Sequence, residues 1–348
     1  MKDLLTIKLY RDDLKRVLDS IDLRALSNKT ILITGAAGLI GASIIDILEM
    51  ANQEYCLGLK IVAADINYRF LIERYNNYDD IKVIDYNALE PVNFNFRFDY
   101  AIHCAGIATP NLYVEKPVET MVSNFVGLHN ILKYALDCGC TSVVYISSSE
   151  VYGNKLIEDS FTEDTFGFID INNIRSSYSE AKRASEVLCK AFYHEHKLNI
   201  VIARPGHVFG PTASPNDKRV SSEFLFKASK GENISLKSDG IQKRSYCFSL
   251  DCAKAILFLL LNGSGGESYN VGSDEIVSIK QLCELISFYG NVNLDFISPS
   301  KKDVSVFNPM NNSSLDIKKI KKIGFFSVFS VEEGISHSIK VLKEAICG

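Results

Sequence analysis

Continuous apolar runs alternate with amphipathic stretches along the chain from Lys29 to Pro211. An apolar run without polar alternation is typical of a strand covered on both faces of a parallel sheet, whereas an apolar stripe at helical spacing indicates a helix. The runs that predict strands are TILIT, LKIVAADI, FDYAIHCAG, TSVVYISSS and NIVIARPGHVFGP. The pattern therefore predicts an α/β fold built on a doubly wound parallel sheet.

Long helices are predicted between these strands, over residues 118–137 and 178–196, and each carries an apolar stripe. Apolar residues also recur at helical spacing over residues 11–26, before the first strand. After Pro211 the alternation gives way to short strands and shorter helices. These later helices are predicted near residues 220–230, 251–261 and 278–288.

Composition narrows the class of protein. The chain has 348 residues and a formal net charge of -4, which argues against nucleic acid or an anionic membrane as a partner. No run approaches the roughly 20 apolar residues that a membrane span requires. The nine cysteines lack the spacing of metal ligands, so we expect no metal site and a reducing, cytoplasmic location.

A glycine triplet marks the junction between the first strand and the following helix. Gly35, Gly38 and Gly41 give the pattern G-x-x-G-x-x-G, with Leu39 and Ile40 between the last two glycines. Such a turn lets the backbone approach a pyrophosphate, which the amide groups at the helix N-terminus then bind. The junction predicts a dinucleotide-binding site of the Rossmann type.

Asp65 ends the second predicted strand, where an acid accepts hydrogen bonds from both ribose hydroxyls of a dinucleotide. Such an acid favours NAD, because it repels the 2′-phosphate of NADP. Arg69 and Arg74 lie close by in sequence and would balance that phosphate. The cofactor is therefore predicted as NAD(P), with NAD favoured and NADP left open.

Tyr178 and Lys182 form the pattern Y-x-x-x-K, which puts both side chains on one face of a helix. A nearby ammonium lowers the pKa of a phenol, so Tyr178 is predicted to exchange a proton with a sugar hydroxyl near neutral pH. Ser148 follows the fourth predicted strand and is expected to hydrogen-bond the same oxygen. These residues predict acid–base chemistry at a carbinol or ketone beside a nicotinamide.

An ordered set of motifs resembles the extended short-chain dehydrogenase/reductase family, which includes nucleotide-sugar epimerases, dehydratases and decarboxylases. The motifs are TGAAGLIG, HCAG, NFVGLHNIL, SSSEVYG, YSEAK and RPGHVFGP. The resemblance implies a Rossmann domain with bound NAD(P), a nucleoside-diphosphate sugar as substrate and a homodimer built from two helices of each subunit.

Within that family, the chain is most similar to the UDP-glucuronate decarboxylases. The similarity lies in GFIDINNIRSSYSEAKR, SPNDKRVSSEF and GIQKRSYCF, and it implies that Glu150 and Arg244 act on a proton and a carboxylate at the sugar ring. Ser149 stands where 4,6-dehydratases carry an acidic residue, which counts against dehydration. Asp170 and His207 depart from the decarboxylase pattern and predict a remodelled sugar pocket.

The resemblance extends the predicted site beyond the glycine turn and the acid–base residues. Besides the glycine turn, and with the acid–base residues Tyr178 and Lys182 included, the cofactor contacts are predicted at Asp65, Ile66, Arg69, Asp85, Tyr86, Cys104, Ala105, Gly106, Asn124, Tyr178, Lys182, Pro205, His207 and Val208. Substrate contacts are predicted at Ser149, Glu150, Arg175, His207, Arg219, Val220 and Arg244.

These sites divide the chain into three predicted parts. Residues 1–28 form a helical extension, 29–203 the NAD(P)-binding domain, and 204–348 mainly a smaller α/β lobe for the nucleotide sugar. A strand and a helix near 244–275 are expected to return to the first domain.

The first functional hypothesis is net reduction of a nucleotide-linked keto sugar, with an open-chain ketose giving a polyol for a surface polysaccharide. A UDP-glucuronate decarboxylase-like enzyme or a 4-epimerase, each recycling its NAD internally, is the alternative. A hypothesis of another class is a non-catalytic sensor of the NAD(P) redox state. The sensor is disfavoured because it would not need Ser148, Tyr178 and Lys182 together.

Overall fold

A parallel sheet with helices on both faces forms the centre of the computed structural model, which describes residues 2–155, 159–298 and 310–347. The strands, numbered in chain order, are Thr30–Thr34 (β1), Lys60–Asp65 (β2), Ile81–Asp85 (β3), Tyr100–His103 (β4), Ser142–Ile146 (β5), Ile200–Pro205 (β6), His207–Phe209 (β7), Ile234–Leu236 (β8), Lys243–Phe248 (β9), Ser268–Val271 (β10), Ile276–Ser278 (β11), Leu294–Phe296 (β12) and Asn312–Ser313 (β13).

The helices connect and cover these strands. They are Lys8–Leu18 (α1), Leu39–Tyr55 (α2), Tyr68–Tyr75 (α3), Pro110–Glu115 (α4), Pro117–Cys138 (α5), Ser176–His196 (α6), Val220–Ser229 (α7), Ser249–Asn262 (α8), Ile279–Gly290 (α9), Lys318–Lys322 (α10) and Val331–Cys347 (α11). Within the described ranges, no helix combines the length and the apolar character that crossing a bilayer requires.

The main sheet has seven strands in the order β10-β6-β5-β4-β1-β2-β3, and every neighbouring pair is parallel. Successive residues of a strand face opposite sides of it, so Leu32 packs into one apolar cluster while Ile31 and Ile33 pack into the other. This burial on both faces of the sheet explains why the sequences of the strands are continuous apolar runs. The predicted doubly wound parallel α/β fold is confirmed.

Strands and helices after residue 204 complete the molecule. β10 joins the main sheet beside β6, and α8 packs against α2, whereas β7, β9, β11 and β13 form a separate sheet and β8 pairs with β12. Parallel strands bring their carboxyl ends to one edge, so the loops after β1, β2, β4, β5 and β6 meet there. That edge holds the predicted site.

The N-terminal helix is shorter than predicted and packs on both parts of the chain. α1 ends at Leu18, and in the segment that follows the Asp22 carboxylate accepts the backbone N–H of Arg24 at 3.0 Å. The Tyr10 hydroxyl donates to buried Asp46 of α2 at 2.8 Å, and Arg16 pairs with Glu333 of α11 at 2.6 Å. The extension therefore joins the first domain to the last helix.

Candidate active site

The glycine turn after β1 brings backbone segments closer together than a side chain would allow. Gly35 has a φ of +69°, and a Cβ there would lie 2.7 Å from the backbone nitrogen of Ala105. A Cβ on Gly41 would lie 2.4 Å from the carbonyl oxygen of Gly35. Gly38 caps α2, which begins with Leu39 and Ile40. Because side chains are absent at these points, the backbone and the helix N-terminus fit a dinucleotide pyrophosphate.

Asp65 is fixed beside this turn at the end of β2. Its carboxylate accepts the backbone N–H of Ala37 at 3.0 Å and that of Asn67 at 2.8 Å. Arg69 is exposed nearby, but the Arg74 side chain is only 9% exposed and forms an ion pair with Asp46 at 2.6 Å. Since Arg74 is held by that partner, Arg69 is the cation that would balance a 2′-phosphate.

The other predicted cofactor contacts follow neighbouring strands. Cys104 to Gly106 follow β4, and a Cβ on Gly106 would lie 2.5 Å from the side-chain oxygen of Asn124. Asn124 is buried in α5, where its amide donates to the Thr120 carbonyl at 2.8 Å. Pro205 ends β6, and Val208 lies in β7. Ile66 is exposed and follows β2, Asp85 is exposed and ends β3, and Tyr86 is buried and follows β3. Their role in binding NAD(P) stays a prediction.

Ser148, Tyr178 and Lys182 come together at the same edge. Tyr178 is 6% exposed, and the Lys182 ammonium lies 5.8 Å from the centre of its ring. Lys182 donates to the Ile146 carbonyl at 2.7 Å, which holds it against the end of β5. Ser148 caps the following turn by accepting the backbone N–H of Glu150 at 3.2 Å.

Burial controls the protonation of this group in the structure. Desolvation, together with the charge of Glu150, raises the pKa of Tyr178 to about 12, although hydrogen bonds from Ser148 and Tyr113 lower it. Desolvation also lowers the pKa of Lys182 to about 8. Burial thus raises the pKa of the Tyr178 phenol in the structure, and proton exchange by Tyr178 near neutral pH stays a prediction.

The Glu150 carboxylate forms an ion pair with an arginine. Both terminal nitrogens of Arg175 donate to its carboxylate at 2.9 Å, and the Ser179 hydroxyl donates at 3.3 Å. Arg175 is 8% exposed. Its guanidinium, which was predicted to contact the substrate, therefore orients Glu150 in the structure.

Three arginines surround His207. Burial and the charges of Arg244, Arg219 and Arg175 lower the pKa of His207 to about 3, so its ring is neutral, and its buried Nδ1 has no hydrogen-bond partner in the structure. Arg175 pairs with Glu150, and Arg219 pairs with Asp217 at 2.9 Å.

Arg244 differs from the other two arginines. It is 3% exposed and donates to the carbonyls of Lys243 at 2.8 Å and Asn311 at 3.4 Å. Across the described ranges, no carboxylate pairs with it. A buried guanidinium without a countercharge favours binding of an anion. Ser149 is buried in the turn before Glu150, and Val220 is exposed at the start of α7.

Sequence reasoning missed two features of this site. The Tyr113 ring stacks on Tyr178, with centroids 4.3 Å apart and an interplanar angle of 5°. Behind Ser148, Arg204 and Glu186 form a buried ion pair at 2.6 Å. Arg204 opens the quoted motif RPGHVFGP, so its position was visible, whereas nothing in the spacing of Tyr113 indicated the stack.

Comparisons with known proteins show the family to which the chain belongs. A sequence model described as the NAD dependent epimerase/dehydratase family matches residues 31–272. UDP-glucuronic acid decarboxylase 1 of Xenopus tropicalis is 27% identical over 321 residues, covering 91% of this chain and 73% of that protein. UDP-glucuronic acid decarboxylase 6 of Arabidopsis thaliana is 29% identical over 316 residues, covering 89% and 87% respectively.

A solved structure shows the same fold. The dTDP-glucose 4,6-dehydratase of Streptomyces venezuelae, solved with NAD bound, superposes with a TM-score of 0.78 at 20% identity, covering 90% of this chain and 97% of that chain. The family match spans more than half of the 348 residues. The chain is therefore an enzyme of the NAD dependent epimerase/dehydratase family.

Proposed function

We propose that this enzyme decarboxylates a nucleotide-linked sugar acid, with UDP-glucuronate as the first candidate substrate. The observation that carries the proposal is Arg244, a buried guanidinium that forms no ion pair with a carboxylate of the described residues, although it lies close enough to Glu150 to feel its charge. A sugar carboxylate would supply the missing countercharge. The names of the relatives support the same choice.

Each residue of the site has a role in this proposal. Bound NAD would supply reversible hydride transfer at a ring carbon. Tyr178, assisted by Ser148, would take the proton of the ring hydroxyl and later return it. Arg244 would bind and orient the carboxylate of the sugar. Glu150, fixed by Arg175, would exchange a proton with the substrate at the ring carbon that loses carbon dioxide.

Net reduction of a keto sugar is the second candidate. It needs the same Ser148 and Tyr178 pair but assigns no reaction to Arg244, and none of the relatives described above bears that name. The departures at Asp170 and His207 are what support it. A role in surface polysaccharide synthesis and the assignment of residues 204–348 to the nucleotide sugar remain proposals with either reaction.

Product analysis separates the two reactions. We expect UDP-glucuronate and a catalytic amount of NAD to give carbon dioxide and a UDP-pentose without net change in cofactor absorbance. Stoichiometric oxidation of NAD(P)H by a nucleotide-linked keto sugar, without release of carbon dioxide from UDP-glucuronate, would establish the reductase instead. Arg244→Met should abolish decarboxylation, while Arg24→Met, at an exposed pair outside the site, serves as its control.

We also propose a homodimer formed through α5 and α6. The two helices pack together, yet Val118, Met121 and Phe125 of α5 and Val187 of α6 stay exposed, at 69%, 46%, 38% and 67%. Pairing these faces across a two-fold axis would bury them in a four-helix interface. We expect sedimentation to give a dimer at micromolar concentration and Phe125→Asp to weaken it. A wild-type monomer under those conditions would contradict the proposal.

A further inference from the structure

Tyr113 is a second buried phenol of the active site, outside the Y-x-x-x-K motif. Its side chain is 2% exposed, and its ring lies almost parallel to that of Tyr178, with centroids 4.3 Å apart. The Ser177 hydroxyl donates to the Tyr113 carbonyl at 3.2 Å. Because Ser177 precedes Tyr178, the same turn of α6 fixes both partners of the stack.

The surroundings of Tyr113 keep it a hydrogen-bond donor. Burial and the nearby Tyr178 and Glu150 raise the pKa of Tyr113 well above its ordinary value. The guanidinium of Arg175, the N-cap residue of the helix that carries Tyr178, lies 5.7 Å from the centre of the Tyr113 ring. These surroundings favour the protonated form of Tyr113, which can donate a hydrogen bond.

We propose that Tyr113 is a positioning residue for proton transfer: its ring fixes the plane of Tyr178, and its hydroxyl donates a hydrogen bond to the Tyr178 oxygen when that oxygen is ionised. When the sugar is oxidised, its hydroxyl O–H bond breaks, the proton passes to the Tyr178 oxygen, and the hydride from the same carbon leaves to the cofactor. Donation from Tyr113 stabilises the phenolate that accepts this proton. The proposal rests on the proposed role of Tyr178 and holds for either candidate reaction.

Other charged groups also act on Tyr178 and set the background for any titration. Glu150 lies in the turn after β5, Arg175 is the N-cap residue of α6, and Lys182 lies within α6. Tyr145 lies in β5, and Arg219 lies in the segment before α7. None of them changes in Tyr113→Phe, which keeps the stacked ring and removes one hydroxyl.

The test follows the ionisation of Tyr178 directly, by NMR of ring-labelled tyrosine in the protein with NAD bound. The Tyr178 resonance is assigned by its loss in Tyr178→Phe. In Tyr113→Phe we expect its titration midpoint to rise by about 0.5 to 1 pH unit, the shift that follows from one lost hydrogen bond. Tyr134→Phe is the matched control, because it removes a hydroxyl that donates to the backbone carbonyls of Phe94 and Phe96, and it should leave the midpoint unchanged.

A structural role alone predicts a different result. If Tyr113 only packs against Tyr178, the Phe variant keeps the wild-type midpoint, whereas Tyr113→Leu disturbs it by removing the ring. An unmoved midpoint in Tyr113→Phe, or a Tyr178 resonance that does not titrate in the wild-type protein while the fold persists, overturns the proposal. The measurement needs no sugar, so failure of the decarboxylase proposal does not affect it.

Discussion

Tyr178→Phe should lower turnover by about a hundredfold or more, the loss typical when general acid–base catalysis is removed. The substitution removes the hydroxyl that we propose to exchange the proton, and it keeps the ring stacked on Tyr113. Affinity for NAD should stay nearly unchanged, because the glycine turn and Asp65 lie on other elements of the sheet edge. Steady-state turnover and a titration of NAD binding measure the two effects separately.

Tyr152→Phe does not suit this experiment as a control, since its hydroxyl bonds to Asn270 and Arg204. Tyr134→Phe does, because its hydroxyl contacts backbone carbonyls outside the site, and its turnover should match the wild type. Turnover of Tyr178→Phe within a few-fold of the wild type would remove Tyr178 from the mechanism. A joint loss of turnover and NAD affinity would instead indicate a damaged site.

The strand and helix pattern predicted the main sheet because parallel strands are buried on both faces, and continuous apolar runs are a strong signal. Short elements escaped prediction for the opposite reason. α3 and α4 have eight and six residues, too few for an apolar stripe to repeat. The motif residues Gly35, Gly41 and Asp65 were predictable because their chemistry depends on local chain geometry.

Side-chain partners in the site were not predictable from spacing. Arg175 and Glu150 are distant in sequence, and only the folding of α6 against the turn after β5 brings the guanidinium onto the carboxylate. The pKa of Tyr178 depends on how completely its hydroxyl is buried, which a motif does not encode. Both features arise from tertiary packing, so sequence alone predicted the residues but not their electrostatic state.

Arg204→Met should lower the free energy of unfolding by about 3 to 5 kcal/mol, because it leaves a buried carboxylate without its countercharge. Arg204 donates to both oxygens of Glu186, at 2.9 and 2.6 Å, and the side chains are 3% and 7% exposed. Glu186 also accepts the Ser147 hydroxyl at 2.6 Å, and Ser147 precedes Ser148 in the chain. Urea unfolding followed by circular dichroism measures the effect.

A second variant separates charge burial from lost packing. Combining Arg204→Met with Glu186→Leu removes both charges, so most of the lost stability should return if the uncompensated carboxylate is the cause. Arg16→Met is the matched control, since the Arg16 and Glu333 side chains are 42% and 34% exposed, and an exposed pair contributes about 1 kcal/mol or less. A double variant as unstable as Arg204→Met alone would show that the remaining contacts of Arg204, with the Tyr152 hydroxyl and the Glu163 carbonyl, hold the segment behind the active site together.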